Sequence, residues 1–142
     1  YKYWSSSERY KMKPKLTHIA LLVSNVDKTA DFYIKYCGLK VLHRRVDPKT
    51  GFRVIWLGQD KNFVIVAMES NKKPVQSMAK PLSHLGFAMN SREEVDQIAE
   101  IAGEDGKLNY GPTFLDPVAG YLCEILDPDG NSVEFSHGQE LG

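Results

Sequence analysis

Two histidines of this chain stand in matching surroundings. Leu16-Thr17-His18-Ile19 returns as Leu82-Ser83-His84-Leu85, 66 positions later (16 to 82). Each histidine opens an apolar run, and each run leads into a polar cap and a helical pattern that ends at glycine. A third residue joins them near the end of the chain, where Asp127-Pro128-Asp129-Gly130 is followed by Asn131-Ser132-Val133-Glu134-Phe135-Ser136. A carboxylate flanked by Val133 and Phe135 in a buried strand is expensive unless it is paired or bound to a metal. Two imidazoles and one carboxylate, with positions left open for water or substrate, suit a catalytic divalent Fe, Zn, Ni, Mn or Co. A single histidine on an apolar strand is commonly just a hydrogen-bonded structural residue. It is the repetition, together with Glu134, that makes a ligand set of His18, His84 and Glu134.

The elements that carry these residues also come twice. Leu16–Val23 reads as a strand, and Ser24-Asn25-Val26-Asp27 as the start of a helix running to Cys37, with Gly38 closing it. Strands are expected at Leu39–Val46, Phe52–Leu57 and Asn62–Met68, with turns at Asp47–Gly51 and Gly58–Lys61. Ser70 to Pro81 reads as a polar linker. Leu82–Met89 then restarts the pattern, and Ser91-Arg92-Glu93-Glu94 forms a capping box. The next helix turns Val95, Ile98, Ala99 and Ala102 inward before Gly103. Strands follow at Tyr110–Leu115, Tyr121–Asp127 and Asn131–Ser136, with Tyr110-Gly111-Pro112 read as a turn. The result is β-α-β-β-β, twice.

Side chains alternate faces along a strand. His18 therefore shares a face with Ala20 and Leu22, and His84 shares one with Gly86 and Ala88. The bulkier residues Ile19, Leu21 and Val23, like Leu85, Phe87 and Met89, oppose them and should pack beneath the helices. Small residues beside each histidine leave room for a site. His43 and His137 lack such support and read as surface or pocket-rim residues. Cys123 reads as core rather than nucleophile, and Glu93, Glu94, Asp96 and Glu100 as a solvated helix face.

Bulk properties narrow the function further. Lys plus Arg and Asp plus Glu both number 18, so no broad field favours nucleic acid or an anionic membrane. No apolar run approaches the roughly 20 residues that span a bilayer. Cys37 and Cys123 make no disulfide framework, which favours a reducing, cytoplasmic setting. Residues 1–11 lack strand or helix periodicity and read as an extension or expression remnant. Met12 is a natural start for the single domain expected over 12–142.

These features together resemble the vicinal oxygen chelate superfamily, which includes glyoxalase I, the bleomycin-binding proteins, the fosfomycin-resistance enzymes and the extradiol dioxygenases. The resemblance is carried by the paired modules, His18, His84, Asp31-Phe32-Tyr33 ahead of Gly38-Leu39, and Asp127-Pro128-Asp129-Gly130-Asn131 leading to Glu134. It implies an α+β fold in which modules 15–70 and 81–137 form a cupped, eight-stranded mixed sheet with helices outside. It implies a homodimer and one divalent transition metal on His18, His84 and Glu134. It also implies a small-molecule substrate that grips the metal through neighbouring oxygens.

The fourth ligand of glyoxalase I aligns with Val66, which cannot coordinate, and Glu69 is an odd number of residues away. Alternation and position suggest Trp56, Arg53, Tyr110 and Phe114 as pocket lining and Tyr121 as a proton donor beside Glu134. The reading is a metal-dependent lyase or isomerase. An Fe(II) ring-cleaving dioxygenase and a metal-free ligand-binding protein are the alternatives.

Overall fold

The computed structural model describes residues 14–71, 83–139 and 141. The N-terminal extension, Met12, Leu82 and nearly all of the linker expected over 70–81 lie outside the described residues. The first module runs β1 (His18–Val23), α1 (Val26–Cys37), β2 (Lys40–Val46), β3 (Arg53–Gly58) and β4 (Val64–Glu69). The second runs β5 (His84–Ala88), α2 (Arg92–Glu104), β6 (Leu108–Phe114), β7 (Tyr121–Leu126) and β8 (Ser132–His137).

Local chemistry accounts for the helix boundaries. Asn25 caps α1 by accepting from the backbone N–H groups of Asp27 and Lys28, a contribution of about 1 kcal/mol. Gly38 ends α1 at a φ of 64°, in the left-handed region where a side chain is strained. Ser91 caps α2 by accepting from Glu94 N, while the Glu94 carboxylate reaches back to Asn90 N. Glu94 therefore works as a cap rather than as part of a solvated face, and Asp96 likewise accepts from the Tyr121 hydroxyl.

The eight strands form two mixed sheets of four, ordered β1-β4-β3-β2 and β5-β8-β7-β6. In each sheet the strand bearing the histidine lies at an edge and pairs in parallel with the last strand of its module. One face of each sheet packs beneath the helices. Leu21, Val23, Ile55, Leu57 and Ala67 meet α1, while Ile125, Val133 and Phe135 belong to the same core, with Leu85 and Phe87 packed against it. The expected turn at Tyr110-Gly111-Pro112 lies inside β6, where the β6–β7 register shifts between Tyr110 and Thr113. A Cβ on Gly111 would sit 2.6 Å from the Leu122 carbonyl oxygen, so the strand passes this close contact only with glycine.

The two modules are joined through the Asp127–Asn131 turn. Asp127 is buried and accepts from the N–H groups of Asp129 and Asn131 and from Asn131 Nδ2. It also accepts from the hydroxyl of fully buried Tyr33 in α1, at 2.8 Å. Asp129 accepts from Ser24 N and Ser24 Oγ just before α1. These bonds fix the start of β8, and so the height at which Glu134 projects. Lys35 and Tyr36 of α1 both bond Asp105 at the end of α2.

Candidate metal and ligand site

Register partners trace one row of side chains across each sheet. In the second sheet Gly86 pairs with Glu134, Glu134 with Glu124, and Glu124 with Tyr110. In the first sheet the equivalent row is Ala20, Val66, Trp56 and His43. Val66 is thus the topological counterpart of Glu134, and the first sheet has no carboxylate at that place. Glu69 does not replace it. It lies on the helix face, where it accepts from Val26 N at 3.1 Å and pairs with Arg53.

His84 Nε2 and Glu134 Oε2 stand 3.4 Å apart, with Glu134 only 6% exposed. Gln139 Nε2 donates to the same carboxylate oxygen at 3.3 Å. A Cβ placed on Gly86 would lie 3.6 Å from Glu134 Oε2, so a larger side chain there would occupy the space in front of the carboxylate. Both groups open into a cavity of about 1020 Å³, whose walls include Tyr110, Leu115, Leu122 and Glu124.

His84, Glu134 and Tyr110 are therefore brought together. His18 is not among them. It lies exposed on the first sheet beside Thr17, on the same open face as Ala20 and Leu22. Trp56 shares that face and packs against His43, ring centroids 4.8 Å apart. Among the described residues of one chain, no three His, Cys, Asp or Glu side chains converge so as to hold a metal ion. The donor types fit a divalent transition metal, and one chain gathers two of the three expected ligands.

Three expected site residues are turned away from the cavity. Arg53 lies on the helix face of β3, bound to Glu69 through two nitrogens and to Asp27 of α1 at 2.6 Å. Those hydrogen bonds hold both carboxyls below their ordinary range. Tyr121 also faces the helix. Its hydroxyl donates to Asp96, which pushes its pKa up and commits its proton to that partner. Arg92 covers both the Tyr121 ring and the Phe114 ring, so Phe114 belongs to the same surface cluster. In each case strand parity is the physical reason. Arg53 is an odd step from Trp56 and shares the face of Ile55 and Leu57, Tyr121 is an odd step from Glu124, and the register shift between Tyr110 and Thr113 turns Phe114 to the face of Tyr121.

Glu124 was absent from the expected site. It is 5% exposed, lines the cavity and accepts from Ser132 Oγ at 3.2 Å. The signal was available: a carboxylate flanked by Cys123 and Ile125 in an apolar strand is as costly to bury as Glu134. Cys123 is core, as expected, its thiol pKa pushed up to about 12 by burial. His137 is half-buried with Nδ1 2.9 Å from the Met89 carbonyl oxygen.

The paired modules, the strand-borne histidine and carboxylate, and the open face between them define a glyoxalase-type protein. Residues 15–135 match the family model of the Glyoxalase/Bleomycin resistance protein/Dioxygenase superfamily, and the chain belongs to that superfamily. An uncharacterised protein of Pseudomonas aeruginosa is 41% identical over 92% of this chain and 94% of its own length. A lactoylglutathione lyase of Neisseria meningitidis is 24% identical over 85% of this chain and 88% of its own. A probable chloroplastic lactoylglutathione lyase of Arabidopsis thaliana is 27% identical, and this chain spans 35% of it. Among solved structures, the fosfomycin resistance protein FosX of Listeria monocytogenes superposes with a TM-score of 0.72 at 20% identity, over 91% of this chain and 97% of that one. The fold is thus shared.

Proposed function

We propose that this chain is a metal-dependent enzyme of the glyoxalase type, a lyase or isomerase acting on a small substrate that presents two neighbouring oxygens. The observation that carries the reading is the approach of His84 Nε2 to Glu134 Oε2 at 3.4 Å on the floor of a large cavity. A divalent metal held there would polarise substrate oxygens and stabilise charge developing on them. His84 and Glu134 would hold it from the second sheet. Gln139 donates to the carboxylate, Gly86 leaves the approach clear, and Tyr110 and Leu122 line the cavity beside it.

The third donor in this reading is His18 from a second copy of the chain. The face bearing His18 is exposed in one protomer, and Leu22 and Met68 beside it are large apolar residues left 43% and 39% exposed. Such a face is suited to closing the cavity of a partner in a homodimer. Two free cysteines suit the reducing cytoplasm, and among the described residues no helix is long and apolar enough to cross a membrane.

That no three donors converge among the described residues of one chain favours a second reading, a metal-free protein that binds a small ligand in the same cavity. Sedimentation and elemental analysis together separate the two. The enzyme reading expects a dimer with one metal per chain. A monomer that takes up no divalent metal when offered Zn, Ni, Mn or Fe overturns it and leaves the binding protein.

A further inference from the structure

The segment after β8 is folded back onto the site. β8 ends at His137, and a straight continuation would carry residue 139 about 16 Å from Glu134 and turn its side chain to the opposite face. Instead Gln139 Nε2 lies 3.3 Å from Glu134 Oε2, and Gln139 and Leu141 line the cavity. Gly138 makes the reversal at a φ of 84°, in the left-handed region that strains a side chain. Gly120, ahead of β7, makes room for it. A Cβ there would lie 2.4 Å from the His137 carbonyl oxygen and 3.0 Å from Gln139 N. His137 is itself anchored, with Nδ1 2.9 Å from the Met89 carbonyl oxygen. The backbone is thus built to return the Gln139 amide to the site.

Two atoms that each bind one divalent transition metal at about 2.1 Å stand about 3.0–3.4 Å from each other. Glu134 Oε2 has two neighbours at that spacing, His84 Nε2 at 3.4 Å and the Gln139 amide at 3.3 Å. The amide carries an acceptor oxygen beside its NH₂ group, and a half-turn of the terminal torsion exchanges the two within one space. A cation on Glu134 repels the N–H dipole and attracts the carbonyl. In the first sheet the counterpart of Glu134 is Val66, which has no donor to give. We infer that Gln139 is a ligand of the metal, its Oε1 joining His84 Nε2 and Glu134 Oε2 and supplying the donor that Val66 lacks. The inference rests on the metal-dependent reading above and deepens it. With His18 of a second copy the metal has four protein donors. A six-coordinate ion then keeps two positions for the neighbouring oxygens of the substrate.

Co(II) titration of the untagged protein, followed by visible absorption, tests this on the wild type, Gln139→Ala and Gln139→Glu. The d–d bands report affinity and the coordination sphere together. The wild type should take up one Co(II) per chain. Gln139→Ala should bind about tenfold or more weakly, with bands changed in position and intensity. Gln139→Glu keeps a donor oxygen and loses the N–H group, and should bind at least as tightly as the wild type. Gln139 is half-buried and lies outside the strands, so both variants should melt close to the wild type. Unchanged affinity in Gln139→Ala overturns the inference alone and leaves the metal reading standing. Weaker binding with unaltered bands, or a Gln139→Glu as weak as the alanine variant, also overturns it, since Gln139 would then serve only as a hydrogen-bond donor to Glu134. A wild type that takes up no Co(II) overturns the metal reading and this inference with it.

Discussion

Glu134 and His84 are placed by single-residue geometry, and single substitutions should read it out. Glu134→Gln keeps the shape of a side chain that is 6% exposed but removes the anionic donor. It should lower metal affinity by about 10-fold to 100-fold or more while shifting the thermal midpoint little. Dialysis against metal buffers followed by elemental analysis measures the first, and circular dichroism melts the second. Gly86→Leu should have a similar effect by a different route, because its side chain would extend across the space before Glu134 Oε2. Tyr121→Phe should leave metal binding untouched, since its hydroxyl serves Asp96 on the helix side. Cys123 and Cys37, both with thiol pKa values raised by burial, should resist a thiol reagent at neutral pH in the native protein and react once it is unfolded.

At the scale of elements, Arg53 acts as a tie rather than a pocket residue. It joins β3, Glu69 at the end of β4 and Asp27 in the first turn of α1. Its hydrogen bonds lower both carboxyl pKa values from their ordinary 4.5 and 3.8, so on acidification the unfolded chain takes up protons before the folded one does. The stabilisation is therefore complete above about pH 5 and fades as pH falls through the lowered folded values. Arg53→Ala should melt below the wild type at neutral pH, and the difference should shrink toward about pH 3. A difference that persists unchanged in acid would mean that Arg53 acts through packing alone.

The elements themselves were largely legible. Two capped helices and eight strands follow from caps, the Gly38 stop and alternation, because each is dictated by neighbours close in sequence; the stop expected at Gly103 failed, since α2 runs through it to Glu104 and ends at Asp105. The inward faces were legible for the same reason, and Val23, Leu57 and Ala102 are fully buried. What eluded sequence reasoning depended on parity and partnership across the sheet. Arg53, Phe114 and Tyr121 are polar or aromatic residues near the right strands, but each falls on the helix side, where Glu69, Arg92 and Asp96 engage them. Glu124 carries the same local signal as Glu134, a carboxylate among apolar neighbours, but its place opposite Glu134 shows only when β7 is set beside β8. The Gly111-Pro112 pair resembles a turn locally, and only its pairing with β7 shows a strand.

For the whole molecule, the junction between modules rests on few polar contacts around a continuous core. Tyr33 is fully buried and donates to Asp127, which organises the turn before β8. Tyr33→Phe removes that donor and should cost about 1–3 kcal/mol, read from chemical denaturation. A larger loss of metal affinity than this destabilisation explains would show that the turn sets the position of Glu134.

The central claim is that the second sheet of one chain and the first sheet of another complete a metal site. Elemental analysis of untagged protein, wild type beside His18→Ala and His84→Ala, tests it most directly. One transition-metal ion per wild-type chain, greatly reduced in both variants, is the expected result. A wild type that stays empty when offered Zn(II), Ni(II), Mn(II) and anaerobic Fe(II), or a metal that survives loss of His84, would contradict it.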